Sequence, residues 1–277
     1  MNNNDPDGIY YLGPVGSFSN EVADIFQGEK IPKKSITEVF NSINENSIGV
    51  VPIENSIEGP VHETLDNLFK NENIYVNYEI EKEIKLVLAV NPSVNSVDEI
   101  EVIYSHPHAI NEARESLSKL NLTNFVPVES TSTAALYASR QKYSAALCSE
   151  YAAKLYGLKI LYRDISDSIN ITRFIVISRK MTLDGNKTMI MFTIPHKPGS
   201  LYKVLEKFYR NNINLTMIYS RPLKSIPWQY YFYLEFEGSL KDENVKQALE
   251  EVRNEVNILR IKGSFSKLQY QALSFQG

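Results

Sequence analysis

Cysteine is almost missing from this chain of 277 residues. Cys148 stands alone, which excludes an internal disulfide framework and a Cys-rich zinc site and suits a reducing cytoplasm. Long apolar runs are missing too. None approaches the ~20 residues that span a bilayer, and the opening Met1-Asn2-Asn3-Asn4-Asp5-Pro6 has neither the basic flank nor the apolar stretch of a secretory leader. Nor is there an excess of positive charge: 29 Lys and Arg against 33 Asp and Glu leave a net charge of −4, without the basic footprint of a nucleic-acid binder or a polybasic membrane protein. The expectation is a cytoplasmic protein that engages no nucleic acid and no membrane. What is present, 43% apolar residues, can supply a real core, and at roughly 150 residues per domain the length suggests about two domains.

Charge divides the chain unevenly. Residues 1–186 hold 16 basic and 25 acidic side chains, a balance of −9, while residues 187–277 hold 13 and 8, a balance of +5. The seam, Met181-Thr182-Leu183-Asp184-Gly185-Asn186, is turn-rich and separates two β-like runs, so it is taken as the boundary between domains 1–186 and 187–277. Ahead of it, apolar runs such as Ile9 to Leu12, Ile48 to Ile53 and Val102 to Ser105 alternate with amphipathic segments, an α/β pattern. Ser19, Thr37 and Thr131 are placed to cap helices, and Pro60 and Pro107 to open them. Beyond the seam the order is βαββαβ, with helix stripes Leu201/Val204/Leu205/Phe208 and Val245/Ala248/Leu249/Val252 that each bury one face on an antiparallel sheet. Tyr230-Tyr231-Phe232-Tyr233 puts large rings on both faces of one strand, which favours a partner subunit over a cover from the same chain. Lys267 to Gly277 matches no element and reads as a tail.

Several chemistries fail on spacing. His62-Glu63-Thr64-Leu65-Asp66 has Asp where a zinc-protease helix needs its second His. His106-Pro107-His108 aims its imidazoles in different directions with no carboxylate cluster near in sequence, so no metal is expected. There is no G-x-S-x-G elbow and no P-loop, and Gly13-Pro14-Val15-Gly16 is too short for a dinucleotide fingerprint. That turn, with Ser17 and Ser19 at a helix start, could hold an anion or be an ordinary cap.

Open α/β sheets put ligands beyond the carboxyl ends of their strands, which directs attention to three polar segments. One is the Gly13 to Ser19 turn. A second is Pro52-Ile53-Glu54-Asn55-Ser56-Ile57-Glu58-Gly59, directly after an apolar strand. The third is Asp167-Ser168-Ile169-Asn170-Ile171-Thr172-Arg173-Phe174, where a polar loop leads into a rigid strand and a guanidinium could grip a carboxylate; the plainer reading is an edge threonine and a surface arginine.

Together these segments resemble the prephenate dehydratase family, from about Ile9 to Ser264. The family's Gly-Pro-x-Gly-[Thr/Ser]-Phe-Ser stands here as Gly13 to Ser19, its Pro-Ile-Glu-Asn-Ser-x-x-Gly as Pro52 to Gly59, and its Thr-Arg-Phe as Thr172-Arg173-Phe174, preceded by Asn170. The resemblance implies a two-lobed catalytic domain like a type II periplasmic binding protein, its lobes roughly 9–83 plus 165–180, and 84–164. It also implies a C-terminal ACT-like (ferredoxin-like) domain, with Asn214 to Pro222 matching the effector-binding strand. The sequence departs from the family at His108, where Gln is usual; at Gly199-Ser200-Leu201 in place of Gly-Ala-Leu; and at Tyr219-Ser220-Arg221-Pro222 in place of Glu-Ser-Arg-Pro.

The activity implied is loss of water and CO2 from prephenate to give phenylpyruvate, driven by aromatisation, with no cofactor. The implied catalytic residues are Thr172, Arg173 and Phe174, with Ser17, Phe18, Ser19, Asn55, Ser56, His108 and Asn170 around the substrate. Because the ring carboxylate must give up its charge as CO2 leaves, an arginine there would stabilise the ground state. Arg173 is therefore expected on the pyruvyl carboxylate, with Asn55, Ser56 and Ser17 as neutral donors to the ring carboxylate and Thr172 facing the departing hydroxyl. L-phenylalanine is the implied effector, at Gly199, Ser200, Leu201, Asn214, Leu215, Ser220, Arg221 and Pro222, in a homodimer or a dimer of dimers. The rivals are an arogenate dehydratase, in which the substrate's pyruvyl ketone is an amine, and an amino-acid-binding sensor without catalysis, for which Thr172-Arg173-Phe174 would have no use.

Overall fold

The computed structural model describes residues 6–224, 226 and 228–270. The chain begins with β1 (Gly8–Leu12), α1 (Phe18–Ala23), β2 (Glu29–Lys33), α2 (Ile36–Ser42), β3 (Ser47–Asn55), β4 (Gly59–Pro60), α3 (His62–Lys70) and β5 (Tyr75–Glu83). It continues through β6 (Val87–Val90), β7 (Val102–Ser105), α4 (Pro107–Glu112), α5 (Arg114–Lys119), β8 (Phe125–Pro127), α6 (Thr131–Arg140), β9 (Ser144–Cys148), α7 (Glu150–Leu155) and β10 (Lys159–Tyr162), then returns as β11 (Ile171–Ser178). The last part is β12 (Lys187–Thr193), α8 (Ser200–Arg210), β13 (Leu215–Pro222), β14 (Tyr230–Glu237), α9 (Glu243–Arg253) and β15 (Ile258–Leu268), the βαββαβ order expected.

The helix starts show which hydroxyls cap. Ser17, Ser35 and Ser130 accept from the amides of Asn20, Glu38 and Thr133, so the caps lie one or two residues before the expected Ser19, Thr37 and Thr131. Pro107 opens α4 as its fixed φ suggests. Pro60 instead lies in β4, and α3 starts at His62 without a side-chain cap.

Among the described residues the strands form two sheets. One runs β13-β14-β12-β15-β5-β11-β3-β1-β2, with β4 on β3; the other runs β10-β6-β9-β7-β8. The first sheet crosses the sequence seam because β15 is long. Its first part pairs antiparallel with β12, and its last residues pair parallel with β5, Ser266 opposite Tyr78 and Leu268 opposite Ile80. Lys267 and Leu268, read from the sequence as the start of a tail, are thus strand; residues 271–277 lie outside the described residues.

The aromatic strand also corrects an expectation. Tyr231 and Tyr233 are buried at 2% and 0% exposure against the chain's own first part, in one apolar cluster with Ile53, Leu65, Phe69, Ile175, Met189 and Phe265. Phe69 and Tyr231 stack with ring centroids 4.4 Å apart. Phe232, one residue along, faces the other way into the cluster beneath α8 and α9. Rings on both faces of β14 are explained by two apolar layers within one chain.

Candidate active site

Between the two lobes lies a cleft of about 320 Å3, lined by the Gly13–Ser19 turn, the end of β3, the start of β11, and the starts of α4 and α6. Larger cavities, about 670 Å3 between α3 and the β13–β14 hairpin and about 440 Å3 near Lys82 and Tyr270, hold none of the Asn55, Asn170 and Thr172 cluster. The lobes touch across the cleft. Gly16 has φ +86°, and a Cβ there would meet Ser132 Oγ of the opposite lobe at 2.5 Å; Ser132 donates to the Val15 carbonyl. On the far rim, His108 Nδ1 is 3.1 Å from Glu58 Oε1.

A hydrogen-bonded amide and hydroxyl cluster forms the cleft's polar floor. Asn55 Oδ1 accepts from the amides of Ile57 (2.9 Å) and Glu58 (3.0 Å), an Asx-type turn that fixes which way its NH2 points. That NH2 donates to Asn170 Oδ1 (2.6 Å) and Thr172 Oγ1 (2.9 Å). Asn170 in turn donates to Glu112 Oε2 at 3.0 Å. Since Thr172 Oγ1 accepts from Asn55, its own proton is left to donate. Ser17 lines the cleft with its hydroxyl spent on the Leu12 carbonyl and the α1 cap, and Phe18, Ser19 and Phe174 add to the wall. Ser56 does not line it. It ties the two loops together, Ser56 N to Ile171 O at 2.8 Å and Ile171 N to Ser56 Oγ at 2.9 Å.

Arg173 is not in the cleft. Successive residues of a strand point to opposite faces, so Thr172 inward sends Arg173 outward, toward the second domain. There Nη1 donates to Glu54 Oε2 (2.8 Å), and Nη2 to Glu79 Oε2 (2.5 Å) and to both oxygens of Glu235 (2.9 Å each). A β-bulge completes this arrangement. Thr172 faces Asn55 and Arg173 faces Glu54, but Phe174 faces Pro52, so Ile53 is an extra residue on β3. Ile53 and Glu54 then both turn to the interdomain side, Ile53 into the shared apolar cluster and Glu54 onto Arg173 and the Tyr219 hydroxyl. Without that bulge, alternation would put a carboxylate in the cleft. Burial opposes the guanidinium charge, but Glu235, Tyr233 and Glu79 outweigh it and hold the Arg173 pKa above its usual value. Glu79 is likewise held low, against burial, by Arg173 and Lys187.

Three titratable residues of the cleft, Glu112, His106 and Glu129, were not among the expected site residues. Glu112 follows His108 by one helical turn on α4, so an i, i+4 search from the His106-Pro107-His108 motif would have found it. Burial raises its pKa, against hydrogen bonds from Asn170 and Ser166, with Glu58 adding to the rise. His106, lowered by burial and then by His108, sits at the same helix start. Glu129 precedes the cap of α6 and carries no distinguishing local signal. No Lys or Arg is among the described residues lining the cleft.

The expected effector residues divide into two groups. Gly199, at φ +80°, with Ser200 and Leu201 forms the start of α8, near the end where β12 and β13 finish; Asn214 and Leu215 lie at its far end. Eleven helical residues at 1.5 Å each separate the groups by roughly 16 Å within one chain. Ser220 and Pro222 are exposed on β13, an edge strand, whereas Arg221 is committed elsewhere. Its Nε and Nη2 bond Asp66 of α3 at 3.2 and 2.9 Å.

Comparison with known proteins matches this architecture to described families. The prephenate dehydratase family profile covers residues 9–182 and the ACT domain profile residues 188–254. The bifunctional chorismate mutase/prephenate dehydratase of Aquifex aeolicus is 38% identical over 95% of this chain and 74% of its own length. The prephenate dehydratase of Lactococcus lactis is 34% identical over 93% and 97%. The crystal structure of a prephenate dehydratase from Arthrobacter aurescens in complex with L-Phe superposes with a TM-score of 0.83 at 29% identity, covering 96% of this chain and 93% of that one.

Proposed function

From the premise that the chain belongs to the prephenate dehydratase family and carries a C-terminal ACT domain, we propose how its residues divide the work of converting prephenate to phenylpyruvate, water and CO2. The observation that carries this reading is the donor-ready hydroxyl of Thr172, oriented by Asn55 in a cleft without Lys or Arg. Thr172 donates to the departing ring hydroxyl. Glu112, kept protonated further up the pH scale by burial, is the cleft acid suited to supply the proton that leaves with it as water. As that C–O bond breaks, the ring carboxylate leaves as CO2 and its electron pair enters the ring. A surround without Lys or Arg for that carboxylate leaves its ground state unstabilised, which is what decarboxylation needs. With Arg173 directed away, the pyruvyl carboxylate is assigned to the amides at the start of α6, a ten-residue helix whose Ser130 and Thr131 border the cleft. Phe18 and Phe174 supply apolar wall.

The second domain binds L-phenylalanine between two copies of the chain. The roughly 16 Å between Gly199 and Asn214 in one chain, with both at an exposed edge, supports a site in which one copy supplies Gly199 to Leu201 and the other Asn214 and Leu215. Purified protein given prephenate at neutral pH should release phenylpyruvate, with arogenate as the parallel substrate. Turnover of arogenate alone would replace the substrate; turnover of neither would remove the enzymatic reading. L-phenylalanine should raise the melting temperature and the apparent mass together.

A further inference from the structure

The interdomain side of β11 holds an ion cluster that the dehydration itself does not use. Arg173, Glu54 and Glu79 come from the first domain; Lys187 and Glu235 come from the second, with Lys187 Nζ at 2.9 and 3.0 Å from Glu79. Glu79 and Glu235 are 3% and 1% exposed, and Tyr233, itself buried, donates to Glu235. Glu235 is the point at which the second domain's sheet grips Arg173. On the other side of the same two strands, one residue away in each, sit Thr172 and Asn55: the register pairs Arg173 with Glu54 and Thr172 with Asn55.

We propose that Arg173 is a positioning residue that ties the regulatory sheet, through Glu235, to the Thr172–Asn55 geometry on the cleft face of β11 and β3. The physical basis is strand stiffness at a bulge. Two adjacent residue pairs share one backbone, so a displacement of the Arg173–Glu54 pair is carried into the Asn55–Thr172 pair with no side chain between them to absorb it. The device also explains why a charge cluster occupies this surface where more apolar packing would be simpler: a guanidinium fork on three carboxylates has one geometry, whereas an apolar contact slides. A second interdomain ion pair, Arg221 of β13 with Asp66 of α3, has neither member on β11 or β3 and serves as the internal control.

Its catalytic arm rests on the dehydratase reading, so the test pairs turnover with a readout independent of it. Glu235→Gln and Asp66→Asn are compared with the unaltered protein in kcat and KM for prephenate and in hydrogen exchange of segments 52–60 and 168–175. Glu235→Gln should lower kcat about tenfold with KM within about twofold, as a misplaced donor does, and should speed exchange in both segments. Asp66→Asn should change neither. Tyr219→Phe, which deletes only the 3.1 Å hydrogen bond to Glu54, repeats the test if Glu235→Gln does not fold and should lower kcat about twofold to threefold. Unchanged kcat and exchange in Glu235→Gln, or equal losses in the Glu235 and Asp66 variants, would overturn the proposal. Should the unaltered protein fail to turn over prephenate, the dehydratase reading falls and the exchange comparison alone decides the coupling.

Discussion

The two faces of β11 are built from opposite chemistry within one residue of each other. Its cleft face carries Thr172, bonded to the neutral amide of Asn55, and borders a cavity without Lys or Arg among its described lining; its interdomain face carries Arg173 clasped by three glutamates. The difference teaches where this protein places fixed charge. Reaction chemistry that expels a carboxylate's charge is left in a setting without Lys or Arg, and the strong ionic contacts are moved behind the strand, where they can hold geometry without stabilising the wrong state of the substrate. Salt should accordingly have little effect on kcat/KM, since no array of cations steers the substrate into the cleft.

The sharpest break between the faces is Thr172→Ala. It should lower kcat by about 10²–10⁴-fold with little change in KM and little loss of stability, while Thr172→Ser should keep most of the rate. Steady-state kinetics beside a thermal melt reads both; an effect on KM alone would reduce Thr172 to a binding contact. On the other face the expectation inverts. Arg173→Met leaves Glu54, Glu79 and Glu235 with Lys187 as the remaining cation of the cluster, and urea unfolding should show a loss of about 3–5 kcal/mol.

Much of this was legible in the sequence, and the misplacements have physical causes. The βαββαβ order followed from two helix stripes and four β-rich runs, because periodicity is a local signal. The cleft motifs Gly13 to Ser19 and Asn55, Asn170 and Thr172 do meet, since the first follows β1, Asn55 ends β3, and Asn170 and Thr172 stand at the start of β11, which runs antiparallel to β3. Arg173 was misplaced because a motif read as a unit hid the alternation of a strand, and β11 is regular at that point. The opposite holds for Glu54: alternation alone would have sent it into the cleft, and only the bulge at Ile53, invisible in a single sequence, turns it away. Arg221 was likewise read from its neighbours, whereas its partner Asp66 is 155 residues distant. The path of β15 into the first domain's sheet depends on that docking as well, so the tail reading had no local signal to correct it.

Glu112 gives a titratable test of the cleft face. Its folded pKa is raised from the ordinary 4.5, chiefly by burial, so the protonated form persists to higher pH, and kcat should decline as pH rises through that raised value. Glu112→Gln should lower kcat and remove this alkaline limb. The sign for stability agrees: a carboxyl with a raised folded pKa contributes stability below its unfolded pKa that is lost as pH rises through the folded one, so the Gln variant should be at least as stable as the parent at neutral pH.

The smallest effect belongs to the interdomain clamp farthest from the reaction. Burial alone would raise the Asp66 pKa, but hydrogen bonds from Arg221, Tyr231 and Lys224 overcome it and bring the carboxyl down from 3.8 to about 2. A depressed carboxyl pKa means stability present above the unfolded value and lost as pH falls through the folded one, here between 3.8 and about 2. Asp66→Asn should therefore lower the melting temperature by about 2–4 °C at neutral pH, leave kcat unchanged, and differ from the parent less and less as pH is taken down toward 2. Melting curves across that window decide the matter. If the gap between parent and variant persisted at the acid end, the loss would stem from packing around Tyr231 and not from the carboxylate's charge, and the contrast drawn between this clamp and the Arg173 cluster would no longer be one of position alone.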